Sequence, residues 1–178
     1  NLSHIPVTPG PADSVEVSVE ARDPDGVNEV RLRYSVEGGA WREAPMNPSG
    51  GGVYRGTVPT QASSRTVQFY VEAVDDLGAI GQWPRGGPDS RALYRTRDGQ
   101  ARLGELHNIR IIMTPGDITR MYETTNVMSN DLVGTTVVYN EKEAFYDCGV
   151  RLRGSERGRP TSNRVSFNIR FPADHLFR

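Results

Sequence analysis

From residue 14 to residue 97 the chain is built of short runs that alternate apolar and polar residues, with turn residues between the runs. A period of two sends every second side chain to one face of a strand. Ser14 to Ala21 puts Val15, Val17, Val19 and Ala21 on one face. Val30, Leu32, Tyr34 and Val36 alternate with Arg31, Arg33 and Ser35. In Thr66 to Val74, the longest run, Val67, Phe69, Val71 and Ala73 stand opposite Gln68, Tyr70 and Glu72. Trp41 to Pro45, Val53 to Val58 and Arg91 to Thr96 are shorter runs. Asp23-Pro24-Asp25-Gly26 is a turn with a mechanism: Pro fixes φ, the Asp side chains cap, and Gly takes φ > 0. Gly38-Gly39 reads as a hairpin turn. Many short strands with turn signals between them predict a β-sandwich. Val17, Val19, Leu32, Tyr34, Phe69 and Val71 are then expected in its core, and Glu16, Arg33 and Gln68 outside it.

The pattern changes near residue 98. Pro84-Arg85-Gly86-Gly87-Pro88 interrupts the last run, and Asp98-Gly99-Gln100 ends it. Residues 98 to 105 read as a junction, which divides the chain into 1–98 and 106–178. Leu106 to Met113 reads as a strand. Thr114-Pro115-Gly116-Asp117 is a helix start, with Thr as N-cap, Pro at the first position and an acid in the first turn. Ile118, Met121 and Tyr122 continue it at helical spacing, to about Thr125. Leu132–Tyr139, Phe145–Arg153 and Arg164–Phe171 read as strands, with a turn at residues 140–143. The fold class is mainly β, a sandwich followed by a partial α+β lobe. Val133, Val137, Tyr139, Ile169 and Phe171 are expected to lack cover. The second lobe should therefore lean on the sandwich or pair with a second copy.

Charge and cysteine content exclude several classes. The formal net charge is −1, which offers no general attraction to nucleic acid or an anionic membrane. The basic residues are nearly all Arg, and Lys142 is the only lysine. Cys148 is the only cysteine, so no intrachain disulfide forms. It sits among apolar residues and reads as a small buried hydrophobe rather than a catalytic thiol, since His4, His107 and His175 are remote in sequence. No apolar run approaches the ~18 residues of a membrane span. The chain starts at Asn1 without a signal peptide and reads as a mature or excised piece of an exported protein.

Three groups of residues are candidates for a site. Asp23, Asp25, Asp75 and Asp76 lie in two loops that share one pole of such a sandwich, where carboxylates could hold Ca²⁺ or simply cap two solvated turns. Arg151, Arg153, Arg157, Arg159 and Arg164 crowd one stretch with Gly154, Gly158 and Pro160 between them. That stretch is either an anion-binding loop or a solvated turn whose guanidinium groups find carboxylates. Trp41 and Tyr54 are either a sugar-stacking platform or ordinary packing residues.

Two family resemblances add to this reading. Residues 30–36, Gly38-Gly39-Ala40-Trp41, Gly52-Val53-Tyr54 and residues 70–78 resemble the immunoglobulin-like or fibronectin-type modules of bacterial surface proteins, which implies a spacer. Ile109 to Met113, the V-R-L-R-G-S element at Val150–Ser155, Arg157, and S-F-N-I-R-F at Ser166–Phe171 are similar to the opening of the CotH (spore-coat protein H) kinase-like family. That resemblance implies a secreted, ATP- and Mg²⁺-dependent protein kinase as the parent, with Arg153, Gly154, Ser155, Arg157 and Arg164 near phosphate. The family usually carries two lysines just before the Ser-Phe element, where this chain has Arg164 and Val165. Its metal-binding acids would lie beyond Arg178, so the chain by itself is expected to be inert. The implied partners are the missing half of the domain, a second copy, or a protein or surface polymer. The alternative is a structural or adhesive surface protein, carbohydrate-binding in one version, with a degenerate lobe.

Overall fold

The computed structural model describes residues 1–100, 107–154, 159, 165–173 and 175–177. The first hundred residues form two packed antiparallel sheets. One has the order β1 (Leu2–Ile5), β2 (Val15–Glu20), β6 (Val53–Val58), β5 (Asn47–Pro48). The other runs β4 (Arg42–Pro45), β3 (Val27–Val36), β7 (Thr66–Asp75). The far edge of β7 is shared: β8 (Ile80–Trp83) pairs with residues 71–74 and β9 (Leu93–Arg95) with residues 66–68.

The core is the one the alternation predicts. Val17, Val19, Leu32, Tyr34, Phe69 and Val71 are all buried between the sheets, and Val15, Val30, Val58, Val67 and Tyr94 join them. Each such aliphatic or aromatic side chain contributes about 1.5–3 kcal/mol by leaving water. Two details depart from expectation. Gly39 N–H does close the hairpin on Val36 O at 2.9 Å, but the left-handed residues are Glu37 (φ 54°) and Gly38 (φ 71°). Both central positions at positive φ make this a type I′ turn, whose twist matches the strands. Gln68, expected outside, is buried. The segment Gly87–Ser90 packs over that face, and Gln68 Nε2 donates to Pro88 O (2.9 Å) and Ser90 O (2.6 Å). The amide is satisfied by carbonyls that would otherwise need water.

A third antiparallel sheet follows, ordered β10 (Ile109–Ile112), β11 (Val133–Tyr139), β12 (Glu143–Arg153), β13 (Ser166–Arg170). Between β10 and β11 lies the helix α1 (Pro115–Tyr122), capped as expected: Thr114 Oγ1 accepts from Asp117 N–H at 3.1 Å. Met121 and Val127 pack with Val133, Val150 and Leu152. The expected lack of cover is corrected here. Val133 and Val137 are buried, and Tyr139, Ile169 and Phe171 are partly so. Met121 and Val127 cover Val133, and the C-terminal segment covers Val137 and Tyr139. Phe171, His175 and Phe177 close over Phe145, with ring centroids 5.1, 4.4 and 5.9 Å away, and Phe177 also meets Tyr139 at 5.0 Å.

The second lobe does lean on the sandwich, through several kinds of contact. Leu93, Ile112 and Val138 make an apolar cluster across the boundary. Thr136 Oγ1 accepts from Leu93 N–H (2.8 Å) and donates to Arg91 O (2.5 Å), so it splices β9 to β11. Arg91 grips the Asp117 carboxylate with two N–H groups, at 2.6 and 3.2 Å, which ties the sandwich to the cap of α1. Asp98 accepts from Arg95 and Arg110, and Arg110 also donates to Glu141. Burial alone would raise the Asp98 carboxyl, but the Gln100 N–H and the Arg110 and Arg95 guanidinium groups together hold it below the usual carboxylate range.

At the centre of this boundary is His4. It is buried, and its ring stacks on Tyr94 at 5.4 Å and meets Phe69 edge-on at 5.5 Å. Its Nε2 lies 3.0 Å from Val7 O and its Nδ1 2.5 Å from the Tyr146 hydroxyl. A carbonyl only accepts, so Nε2 carries the proton and Nδ1 accepts from Tyr146. The imidazole is neutral, because burial lowers its pKa to about 4. Tyr146, on β12, thereby inserts its hydroxyl into the sandwich core.

Close approach across the boundary explains one glycine. A Cβ on Gly134 would stand 2.6 Å from Arg91 Cγ. Gly134→Ala should displace the guanidinium from Asp117 and cost about 1–3 kcal/mol, read as a lowered thermal midpoint.

Candidate functional site

The Arg-rich stretch divides into two parts. Arg151 on β12 pairs across the ladder with Asn168 on β13, and Gly149 with Arg170. The three polar side chains therefore share one face of the sheet. With Asn130, Leu132 and Ile169 they line an open concavity of about 390 Å³. Arg151 donates to the Asn130 carboxamide oxygen. Two guanidinium groups and two carboxamides facing one hollow can receive a phosphate or carboxylate by charge-assisted hydrogen bonds. Arg153 ends β12, and Gly154 follows at φ 129°, a backbone conformation that suits glycine. Ser155, Arg157 and Arg164 lie outside the described residues.

Arg159 serves the fold instead. Its side chain is buried and donates to the carbonyls of Gly154 (2.9 Å), Met128 (2.9 Å) and Ser129 (3.0 Å) and to Asn130 Oδ1 (3.3 Å). It staples the turn after β12 to the loop after α1. The functional residues missed by sequence reasoning here are Asn130, Asn168 and Arg170. Their signal is weak, because the ladder register brings Asn168 and Arg170 beside Arg151, and a loop contact brings Asn130 there.

The acidic loops do meet at one pole, as expected. Val27 pairs with Asp75, and a Cβ on Gly26 would collide with the Asp76 carboxylate. Two of the four carboxylates are engaged in their own turns. Asp23 Oδ1 accepts from Asp25 N–H at 2.9 Å, and Asp75 Oδ1 from Leu77 and Ala79 N–H at 2.9 and 2.7 Å. Among the described residues no group of three or more His, Cys, Asp or Glu is arranged to hold a metal ion.

Trp41 and Tyr54 are not brought together. Trp41 precedes β4 and meets Tyr70 edge-on at 5.0 Å, whereas Tyr54, on β6 in the other sheet, packs against the sandwich core. Cys148 is buried, its thiol donates to Phe145 O at 3.4 Å, and burial pushes its pKa up to about 12. That is an inert thiol. No described helix is long and apolar enough to cross a membrane. No protein-family model matches the chain, and no curated protein matches it.

Proposed function

We propose that the chain is a non-catalytic portion of an exported surface or coat protein, in which an immunoglobulin-like sandwich acts as spacer for the opening lobe of a CotH-like atypical kinase domain. One observation carries the reading. The V-R-L-R part of the first element and the S-F-N-I-R part of the second lie on neighbouring antiparallel strands, with Leu152 opposite Phe167 and Arg153 opposite Ser166. That pairing sets Arg151 and Arg170 on one hollow suited to phosphate oxygens. In the intact parent, ATP and Mg²⁺ would supply the phosphoryl group and its neutralising charge, with acids outside this chain holding the metal.

A second reading is a structural surface protein with a degenerate lobe. It is favoured by Arg159, whose donors are spent on backbone carbonyls rather than left for a ligand. Titration of the chain with Mg²⁺-ATP, followed by amide and guanidinium NMR shifts, separates the two. The kinase-like reading expects changes confined to Arg151, Gly154, Asn168 and Arg170, with a dissociation constant near ~1 mM. It expects no phosphoryl transfer. Transfer by the chain itself, or no shift on that face, contradicts it.

A further inference from the structure

The sandwich carries unpaired backbone groups along β8. β8 ends its sheet, and among the described residues no strand pairs with its outer side. Asp75 N–H donates to Ala79 O at 3.1 Å, which makes the two an exchanging pair of the β7–β8 hairpin. Exchanging and non-exchanging pairs alternate along an antiparallel ladder. Gly81 and Ala73 are therefore the next exchanging pair, and the N–H and C=O groups of Ile80 and Gln82 point away from β7. Both residues line a slot of about 440 Å³, whose other wall is the end of β2 from Val19 to Asp23. Their side chains lie on the outer face of the sheet, so it is this backbone edge that borders the slot. On the core side the slot is floored by small residues. Ala21 and Ala73 pack on the core, and a Cβ on Gly81 would meet nothing within 4 Å. Trp83, opposite Val71, stands at one end and is 38% exposed.

We propose that this slot binds an extended peptide segment of a partner protein, added as a strand on β8. One large apolar side chain of the segment lies above Gly81, and a lysine or arginine lies at the acidic end. Strand addition satisfies the outward groups of Ile80 and Gln82. In such pairings main-chain hydrogen bonds supply affinity, and pockets for alternate side chains supply choice. A cavity of about 150 Å³ holds a benzene ring, so the slot has room for a Leu or Phe side chain and the backbone beside it. The lining sets Glu20, Asp23 and Asp75 against Arg22 alone. Arg22 pairs with Glu20 at 2.8 Å, which leaves Asp23 and Asp75 without a cation among the described residues. A second copy supplies neither group. In the register that pairs Ile80 with Gln82, Gly81 meets Gly81, and β8 itself carries no basic residue. The proposal is independent of the kinase-like reading, since no residue of the Arg151 hollow takes part.

In Trp41→Phe, Trp83 is the only tryptophan, so its emission reports on the slot. The probes are capped peptides Thr-Thr-X-Thr-Lys and Lys-Thr-X-Thr-Thr, with X as Leu, Ile or Phe, which cover both strand directions. At least one is expected to change the emission saturably, with a dissociation constant near ~1 mM or below. The same peptide should slow hydrogen exchange at the Ile80 and Gln82 amides. Gly in place of X should weaken it about tenfold, the loss of one buried side chain. Glu in place of Lys should weaken it by about tenfold or more, through repulsion from Asp23 and Asp75. Gly81→Val puts a side chain of the protein's own into the open space and should abolish binding while keeping the thermal midpoint. The proposal is overturned if no peptide changes the emission up to about 10 mM, if the lysine and glutamate forms bind alike, or if binding survives Gly81→Val. Concentration-dependent protection of the Ile80 and Gln82 amides without peptide would also overturn it, since a second copy would then hold the edge.

Discussion

Tyr146→Ala is expected to destabilise the chain by about 3–5 kcal/mol and to make its two lobes unfold separately. The ring meets Phe69 edge-on at 5.7 Å and His4 at 5.8 Å, so its loss leaves a cavity in the sandwich core. The same change orphans His4 Nδ1, which accepts only from the Tyr146 hydroxyl in the core. Tyr146→Phe isolates the second effect. It keeps the ring and should cost about 1–3 kcal/mol, the desolvation penalty of one unsatisfied buried acceptor. Urea unfolding gives both values. Equal costs for the two variants would mean that packing across the boundary contributes little.

The second large effect is on acid stability. His4 has an ordinary pKa of 6.5 when unfolded and about 4 when folded, because burial disfavours the imidazolium. Below pH 6.5 the unfolded chain takes up a proton that the folded chain refuses until about pH 4. Stability therefore falls as pH drops through that window, by about 3 kcal/mol in total. Asp98 adds to the loss at lower pH, since its depressed carboxyl stabilises the fold only while ionised. His4→Phe should flatten the slope between pH 6.5 and 4 and leave the lower limb. A slope unchanged in His4→Phe would show that other groups carry the proton uptake. Because His4 sits under Tyr146, acid is expected to loosen the lobe boundary first.

Much of this architecture is legible in the residues, and the exceptions share a cause. Alternation in β2, β3, β6 and β7 is long enough to locate the strands and name their core face. The helix start at Thr114-Pro115-Gly116-Asp117 is a local signal, and α1 begins there. β1, β5 and β8 are four, two and four residues long, too short for a period to show. The burial of Gln68 depends on Gly87–Ser90, twenty residues on, and the cover of Val137 and Tyr139 on Phe171, His175 and Phe177. Such contacts leave no periodic trace. The Arg-rich stretch shows the same limit at the site. Composition marked it, but only strand register and tertiary contacts separate Arg151, which lines a hollow, from Arg159, which holds a turn.

The boundary also constrains how the sandwich can move relative to the second lobe. A spacer on a slack tether would leave the second lobe free to turn. Here β9 is paired to β7 on one side and spliced through Thr136 to β11 on the other. Arg91 reaches from the sandwich to the cap of α1, and Asp98 links Arg95 to Arg110. Such a joint holds the Arg151 hollow in a constant relation to the sandwich.

Urea unfolding with two probes tests that joint most directly. Trp41 and Trp83 both lie in the sandwich, so their emission follows that lobe, while the amide resonances of Val137, Val138 and Val150 follow the sheet of the second lobe. The two lobes, locked through His4, Arg91 and Asp98, should lose structure at one midpoint with coincident curves. Two separated midpoints in the unaltered chain would contradict the account.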